Sequence, residues 1–234
     1  AGIADKMAKN QKQIAISEFF EKTKHFLGFD SLQRSIITAV KEAVDNSLDA
    51  CEEARILPEI IVKISKIDSK KDILELQTED NGPGIPQKSI EKEFGQLLFG
   101  SRFHAIRQSR GQQGIGITGV VMYSQLTTGK PTHVLSKVAS EPTAVSVNIG
   151  LDTRKNKAVK SDQTRIIWER DDLTLKEHGL RVTTRMKGKY QRGRQSVYQY
   201  LRMTSIVNPH ADITFQDPDG EVYHWPRVTE RLPA

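Results

Sequence analysis

Apolar residues recur at spacings of three and four from Ile36 through Val40, Val44 and Leu48 to Cys51. That period predicts a long amphipathic helix from Leu32 to about Ala54, capped by Asp30 or Ser31. Glu42, Asn46, Asp49 and Glu53 share a second face of it. The period then changes to two. Ile60, Val62, Ile64 and Ile67 predict a strand over 60–67, 69–72 a turn, and Ile73, Leu74, Leu76 and Thr78 a returning strand. A loop with two glycines and two prolines, 79–86, follows. A helix opens at Gly116 and runs through Val120, Val121 and Met122. From Thr132 the chain is β-rich, with strands over 134–138, 144–151, 164–169 and 179–186, and a charged surface hairpin or loop over 152–163. A basic helix over 192–207 carries Val197, Tyr200, Leu201 and Ile206 as its apolar positions and stops at Asn208 and Pro209. A last hairpin pairs 213–215 with 222–225 around Asp217 to Gly220. Near the start, Ser17 caps a short helix through Phe26 that Gly28 ends, behind a polar, aperiodic stretch from Ala1 to Lys12.

Composition narrows the class. The chain has 234 residues, 37% hydrophobic and 27% charged, which suits a globular protein with a real core. Lys plus Arg number 35 against 29 Asp plus Glu, a net charge of +6 that permits a nucleic-acid partner without demanding one. The single cysteine, Cys51, excludes an internal disulfide and sits on the apolar stripe, so a buried, inert thiol is expected. No apolar run approaches a membrane span, no signal peptide is visible, and a cytoplasmic protein without a membrane partner is the simplest expectation.

Three stretches carry candidate chemistry. Gly111, Gly114 and Gly116 open the helix that follows, and glycines ahead of a helix N-terminus present N–H groups to an anion. The spacing is neither that of a Walker A loop, which ends in Gly-Lys-Ser/Thr, nor that of a dinucleotide fingerprint. On the long helix, Asn46 offers a hard side-chain oxygen suited to Mg²⁺, and Glu42, one turn earlier, a carboxylate able to deprotonate a water. Asp80, at a strand end within the Gly/Pro loop, can accept a hydrogen bond from an amino group such as that of adenine. Read singly, these stretches also fit a flexible connection, a solvated helix face and a turn cap.

Together they resemble a known family. Glu42-Ala-Val-Asp-Asn46, Asp80-Asn-Gly-Pro-Gly84 and Gly111-Gln-Gln-Gly-Ile-Gly116 occur in the order of the three boxes of the GHKL ATPases. That group holds gyrase B subunits, MutL repair proteins, the 90-kilodalton heat-shock chaperone and histidine kinases. Phe94-Gly-Gln-Leu-Leu-Phe-Gly-Ser-Arg-Phe103 and the run from Gln108 to Gly116 are similar to the B-subunit family of type IIB DNA topoisomerases, the topoisomerase VI enzymes of archaea and plants. The Ser17 to Phe20 start and the run from Asn46 to Ala50 fit the same family.

The resemblance implies a GHKL fold: a two-layer α/β sandwich of a mixed, mainly antiparallel sheet with helices on one face. It implies an N-terminal arm over 1–16 and an ATPase domain over 17–234, without the helix-two-turns-helix and transducer domains. It makes Glu42 the general base, Asn46 the ligand of Mg²⁺ on ATP, Asp80 the reader of the adenine amino group, and Gly84 the point where the loop meets the base. Ser101 and Arg102 would touch the nucleotide, and Gly111, Gln112, Gln113, Gly114, Ile115, Gly116, Ile117 and Thr118 would wrap its phosphates. ATP would drive pairing of two B subunits into a gate over double-stranded DNA, bound nonspecifically, while a separate A subunit cleaves. A nucleoid-associated location follows from that role. The alternatives are another GHKL ATPase, such as a MutL-like repair protein, and a non-hydrolysing GHKL dimerisation module. One departure stands out. Many GHKL proteins carry a threonine after the glycine of the strand that contains Gly179, and here that residue is Leu180, with Thr183 and Thr184 nearby.

Overall fold

The computed structural model describes residues 2–5, 7, 28–95, 116–152, 157–168 and 177–234. The expected N-terminal arm lies largely outside these residues, and the Ser17 helix and the 96–115 stretch wholly so. Helix α1, Leu32–Glu53, is capped by Ser31, whose side-chain oxygen accepts a hydrogen bond from the Arg34 N–H at 3.1 Å. The predicted stripe of Ile36, Val40, Val44, Leu48 and Cys51 is buried throughout. Strands β1, Glu59–Asp68, and β2, Ile73–Asp80, form the expected hairpin. A 3₁₀ turn, Gln87–Ser89, leads into the short helix α2, Ile90–Gly95, and helix α3 spans Gly116–Thr128.

The remaining elements are β3, Thr132–Lys137; β4, Ala144–Asp152; β5, Lys157–Ile166; β6, Gly179–Lys187; helix α4, Val197–Val207; β7, Asp212–Gln216; and β8, Val222–Trp225. Together the strands make one 8-stranded sheet in the order β5-β4-β3-β6-β2-β1-β7-β8. Its pairings are antiparallel apart from β1 with β7, so the sheet is mixed and mainly antiparallel, as expected.

Alternate residues of each central strand meet the helices in one core: Ile60, Val62 and Ile64 of β1, Leu74 and Leu76 of β2, Leu180 and Val182 of β6. Period-two alternation suits a sheet covered on one face. The helix-facing row of β2 is unusual in its last two places, since it runs Leu74, Leu76, Thr78, Asp80. A hydroxyl and a carboxylate therefore end an apolar row inside the core.

Two boundaries differ from those the sequence predicts. Strand β5 begins at Lys157 instead of 164. It is an edge strand held by backbone pairing to β4, so its mostly exposed side chains need not alternate. Helix α4 begins at Val197 instead of 192, because Ser196 caps it by accepting the Gln199 N–H at 3.1 Å. Val197 and Leu201 are buried as expected, but Ile206 is 61% exposed, because the last turn of α4 projects past the core. Among the described residues no helix is long and apolar enough to cross a membrane.

Candidate functional site

The site is built where α1 crosses the end of β2. Asp80 is the last residue of β2 and is buried. Its Oδ2 accepts a hydrogen bond from Ser47 Oγ of α1 at 2.6 Å, and its Oδ1 accepts one from the Gly82 N–H at 2.9 Å. Burial pushes the Asp80 carboxyl up from its usual 3.8 to about 6. The hydrogen bonds from Ser47 and from the backbone N–H groups of Gly82 and Leu180 limit the rise, as does the nearby His178. A carboxyl so placed is poised near neutrality and faces a cavity, which is a common signature of a functional group.

That cavity is lined by Ala43, Asn46, Ser47, Thr78, Asp80, Ile117, Leu180 and Val182. Helix α1 supplies the first three, β2 the next two, and α3 and β6 the rest. Four of these side chains are apolar and four are polar. Its free volume is about 10 Å³, room for one water molecule, so a larger ligand would need these walls to part.

The loop after Asp80 is held on both sides. Asn81 Oδ1 accepts the Glu59 N–H at 2.8 Å, and its Nδ2 donates to the Leu57 carbonyl at 3.0 Å. His178 Nδ1 lies 2.6 Å from the Gly82 carbonyl oxygen. Ser136 Oγ accepts the Ile85 N–H and donates to the Ile85 carbonyl, both at 2.7 Å. Gly84 has φ +72°, and a Cβ there would collide with the Lys137 carbonyl oxygen. Only glycine fits, because of both the backbone angle and the closeness of the β3 end.

Residues 31–166 match the family model described as histidine kinase-, DNA gyrase B- and HSP90-like ATPase. The chain belongs to this ATPase family. It is 51% identical over 228 residues to the B subunit of type 2 DNA topoisomerase 6 from Archaeoglobus fulgidus, covering 97% of this chain and 36% of that protein. It is 50% identical over 234 residues to the same subunit from Methanococcoides burtonii, with 100% and 36% covered. The resemblance drawn from the three motifs thus holds along essentially the whole sequence, and the chain spans little more than a third of the length of these curated relatives. Among solved structures, the B subunit of DNA gyrase from Myxococcus xanthus is similar with a TM-score of 0.59 at 12% identity, covering 91% of this chain and 56% of that one. The ADP complex of the Aquifex aeolicus MutL ATPase domain has a TM-score of 0.50 at 17% identity, covering 82% and 64%. These two likenesses carry the fold alone.

Within this ATPase, the structure brings together Asn46, Asp80 and Ile117, all of which line the cavity. Glu42 lies one turn before Asn46 on the same helix, half-buried; burial first, then Asp45, and least Glu42 push the Tyr200 phenol of α4 up. Gly84 lies in the loop, and its fit to the end of β3 explains it without a ligand. Gly116 begins α3, and the backbone of Thr118 belongs to that helix. Ser101, Arg102, Gly111, Gln112, Gln113, Gly114 and Ile115 lie outside the described residues. Among the described residues, no group of three His, Cys, Asp or Glu side chains could hold a metal ion. The exposed side-chain oxygen of Asn46 is of the hard kind that would suit a Mg²⁺ ion.

Sequence reasoning missed Ser47, Thr78 and His178. Ser47 did leave a signal, a hydroxyl on the buried side of α1 between Val44 and Leu48. His178 left none, because its partner Gly82 is 96 residues away. Two basic runs of the chain, 185–189 and 192–194, are partly neutralised. Arg185 pairs with Glu75 at 3.2 Å, and Arg192 with Asp219 at 3.0 Å.

Proposed function

We propose that this chain is the ATP-binding and hydrolysing part of a topoisomerase VI-type B subunit. The observation that carries the reading is Asp80, a buried carboxylate held by Ser47 and Gly82 in a cavity that Asn46 of α1 also lines. The carboxylate accepts a hydrogen bond from the base amino group, and the apolar walls of Ala43, Ile117, Leu180 and Val182 pack on the ring. Asn46 orients the phosphate end through its side-chain oxygen. Mg²⁺, when bound there, offsets the charge of the phosphate oxygens. Glu42 takes the proton of the water that attacks the terminal phosphate in line. Ser101 and Arg102 touch the nucleotide, and the stretch from Gly111 to Thr118 wraps its phosphates through backbone N–H groups.

Because nucleotide binds one state better than the other, it favours a pairing of two B subunits that closes a gate over double-stranded DNA. DNA cleavage belongs to a separate A subunit. The near-50% identity to topoisomerase 6 B subunits over the whole chain supports this assembly over other members of the ATPase family.

Calorimetric titration with a non-hydrolysable ATP analogue and Mg²⁺ tests the reading. Saturable binding by the wild type, weakened at least tenfold in Asn46→Ala, is expected. No binding by the wild type would sink it.

A further inference from the structure

One polar group at the base end of the cavity has no partner among the described residues. Thr78 is 3% exposed, and its Oγ1 is buried without a hydrogen bond. Buried hydroxyls are almost always paired, and an orphan in a native structure calls for a missing water, ion or ligand. The Thr78 side chain lines the same cavity as Asp80, Ser47 and Asn46. The free volume there is about 10 Å³, room for one water molecule.

The neighbouring strand explains why the hydroxyl sits there. In the β2–β6 ladder Asp80 is opposite Leu180, and Thr78 is opposite Val182. Leu180 and Val182 are apolar and buried, so β6 offers no side-chain hydrogen bond at this end. Thr184 is two residues farther along and lies 3.5 Å, Oγ1 to Oγ1, from Thr132. Thr183 pairs with His133 and Gln77, a register position on the opposite face. Thr78 is the diagonal cross-strand neighbour of Leu180, within reach of the same pocket.

We propose that Thr78 is a base-specificity residue. Its hydroxyl, together with the Asp80 carboxylate, holds a water that contacts the ring nitrogen beside the amino group of an adenine-type base. It supplies from β2 the hydroxyl that Leu180 does not supply from β6. This inference rests on the nucleotide-binding reading above and adds a residue and a base contact to it.

Thr78→Val is the direct test, since valine keeps the shape and removes the hydroxyl. Affinity for adenylyl imidodiphosphate with Mg²⁺, measured by calorimetry, should fall about tenfold, the worth of one hydrogen bond in a dry site. The melting temperature without nucleotide should change little, because valine keeps the shape and the hydroxyl gives up no contact with another part of the described chain. The double variant Thr78→Val/Leu180→Thr should regain most of the lost affinity, which a purely structural role for Thr78 would not produce. Affinity of Thr78→Val within twofold of wild type, or a lower melting temperature without nucleotide, would overturn the inference. Asp80→Asn separates the two levels. If it abolishes binding while Thr78→Val is silent, the role of Thr78 falls and the nucleotide site stands. If the wild type does not bind, both fall.

Discussion

Asn46 and Ser47 adjoin on α1, yet Asn46 is exposed and Ser47 is 4% exposed. One helical residue is about 100° of rotation, enough to send neighbours to different faces. Ser47 turns into the core and ties α1 to Asp80 at 2.6 Å. Asn46 stands at the rim, on the face it shares with Glu42. The two ends of the site are therefore made differently. In the nucleotide-binding reading proposed above, the base end has its carboxylate bonded by the fold before any ligand arrives, while the Thr78 hydroxyl has no partner among the described residues. In the same reading, the phosphate end offers the exposed Asn46 and the half-buried Glu42 to the nucleotide and to the attacking water. Preorganised polar groups give affinity and selectivity, because their ordering cost is met on folding. Groups that act on charge developing in the reaction give rate instead.

That contrast predicts separable effects. Glu42→Gln should break the phosphate end alone. Turnover should fall by about 10²–10⁴ while analogue affinity stays within about twofold of wild type, as read by steady-state hydrolysis beside calorimetry. An equal loss in both would show that the two ends are not independent. Asp80→Asn should break the base end, lowering adenine-nucleotide affinity by about a hundredfold, since it removes a charged acceptor from a buried site. Turnover at saturating nucleotide should change far less.

Acidity should give a smaller effect at the base end. With the Asp80 carboxyl pushed up to about 6 by burial, binding needs the ionised form and should weaken about tenfold between pH 7 and pH 5. Stability without ligand should move the other way. The folded state holds this proton more tightly than the unfolded chain does, so the group's contribution to stability is full below about pH 4 and is lost as pH rises through about 6. Partial desolvation also raises the Asp45 and Asp49 carboxyls, and because both are exposed to solvent their contributions run in the same direction but are smaller. Affinity and melting temperature measured across one pH series would show the opposed slopes, and parallel slopes would refute the assignment to Asp80.

Much of the base end was legible in order but not in partnership. The stripe of α1, the β1–β2 hairpin and Asp80 at a strand end follow from periods of 3.6 and 2 and from glycine and proline punctuation. The boundaries of β5 and α4 did not follow, since an edge strand carries little alternation and α4 starts at a serine cap inside a polar run. Ile206 fits a helical stripe and still lies outside the core, because periodicity records which face a residue shares and says nothing about where the core ends.

By itself the sequence determined most of the elements that form, their order along the chain, and which side chains share a face, though not the short helix α2 or the start of β5. These are local properties, set by backbone geometry and side-chain period. Its three motifs also pointed to the family through Glu42, Asn46, Asp80 and the glycines. Only the tertiary structure decided that β6 lies beside β2, that β7 joins β1 in parallel, and that Ser47 reaches Asp80. It alone set Thr78 and Leu180 diagonally across one pocket. Neighbours across a sheet depend on strand order and register, which arise from packing of the whole core, and no local pattern of the chain encodes them.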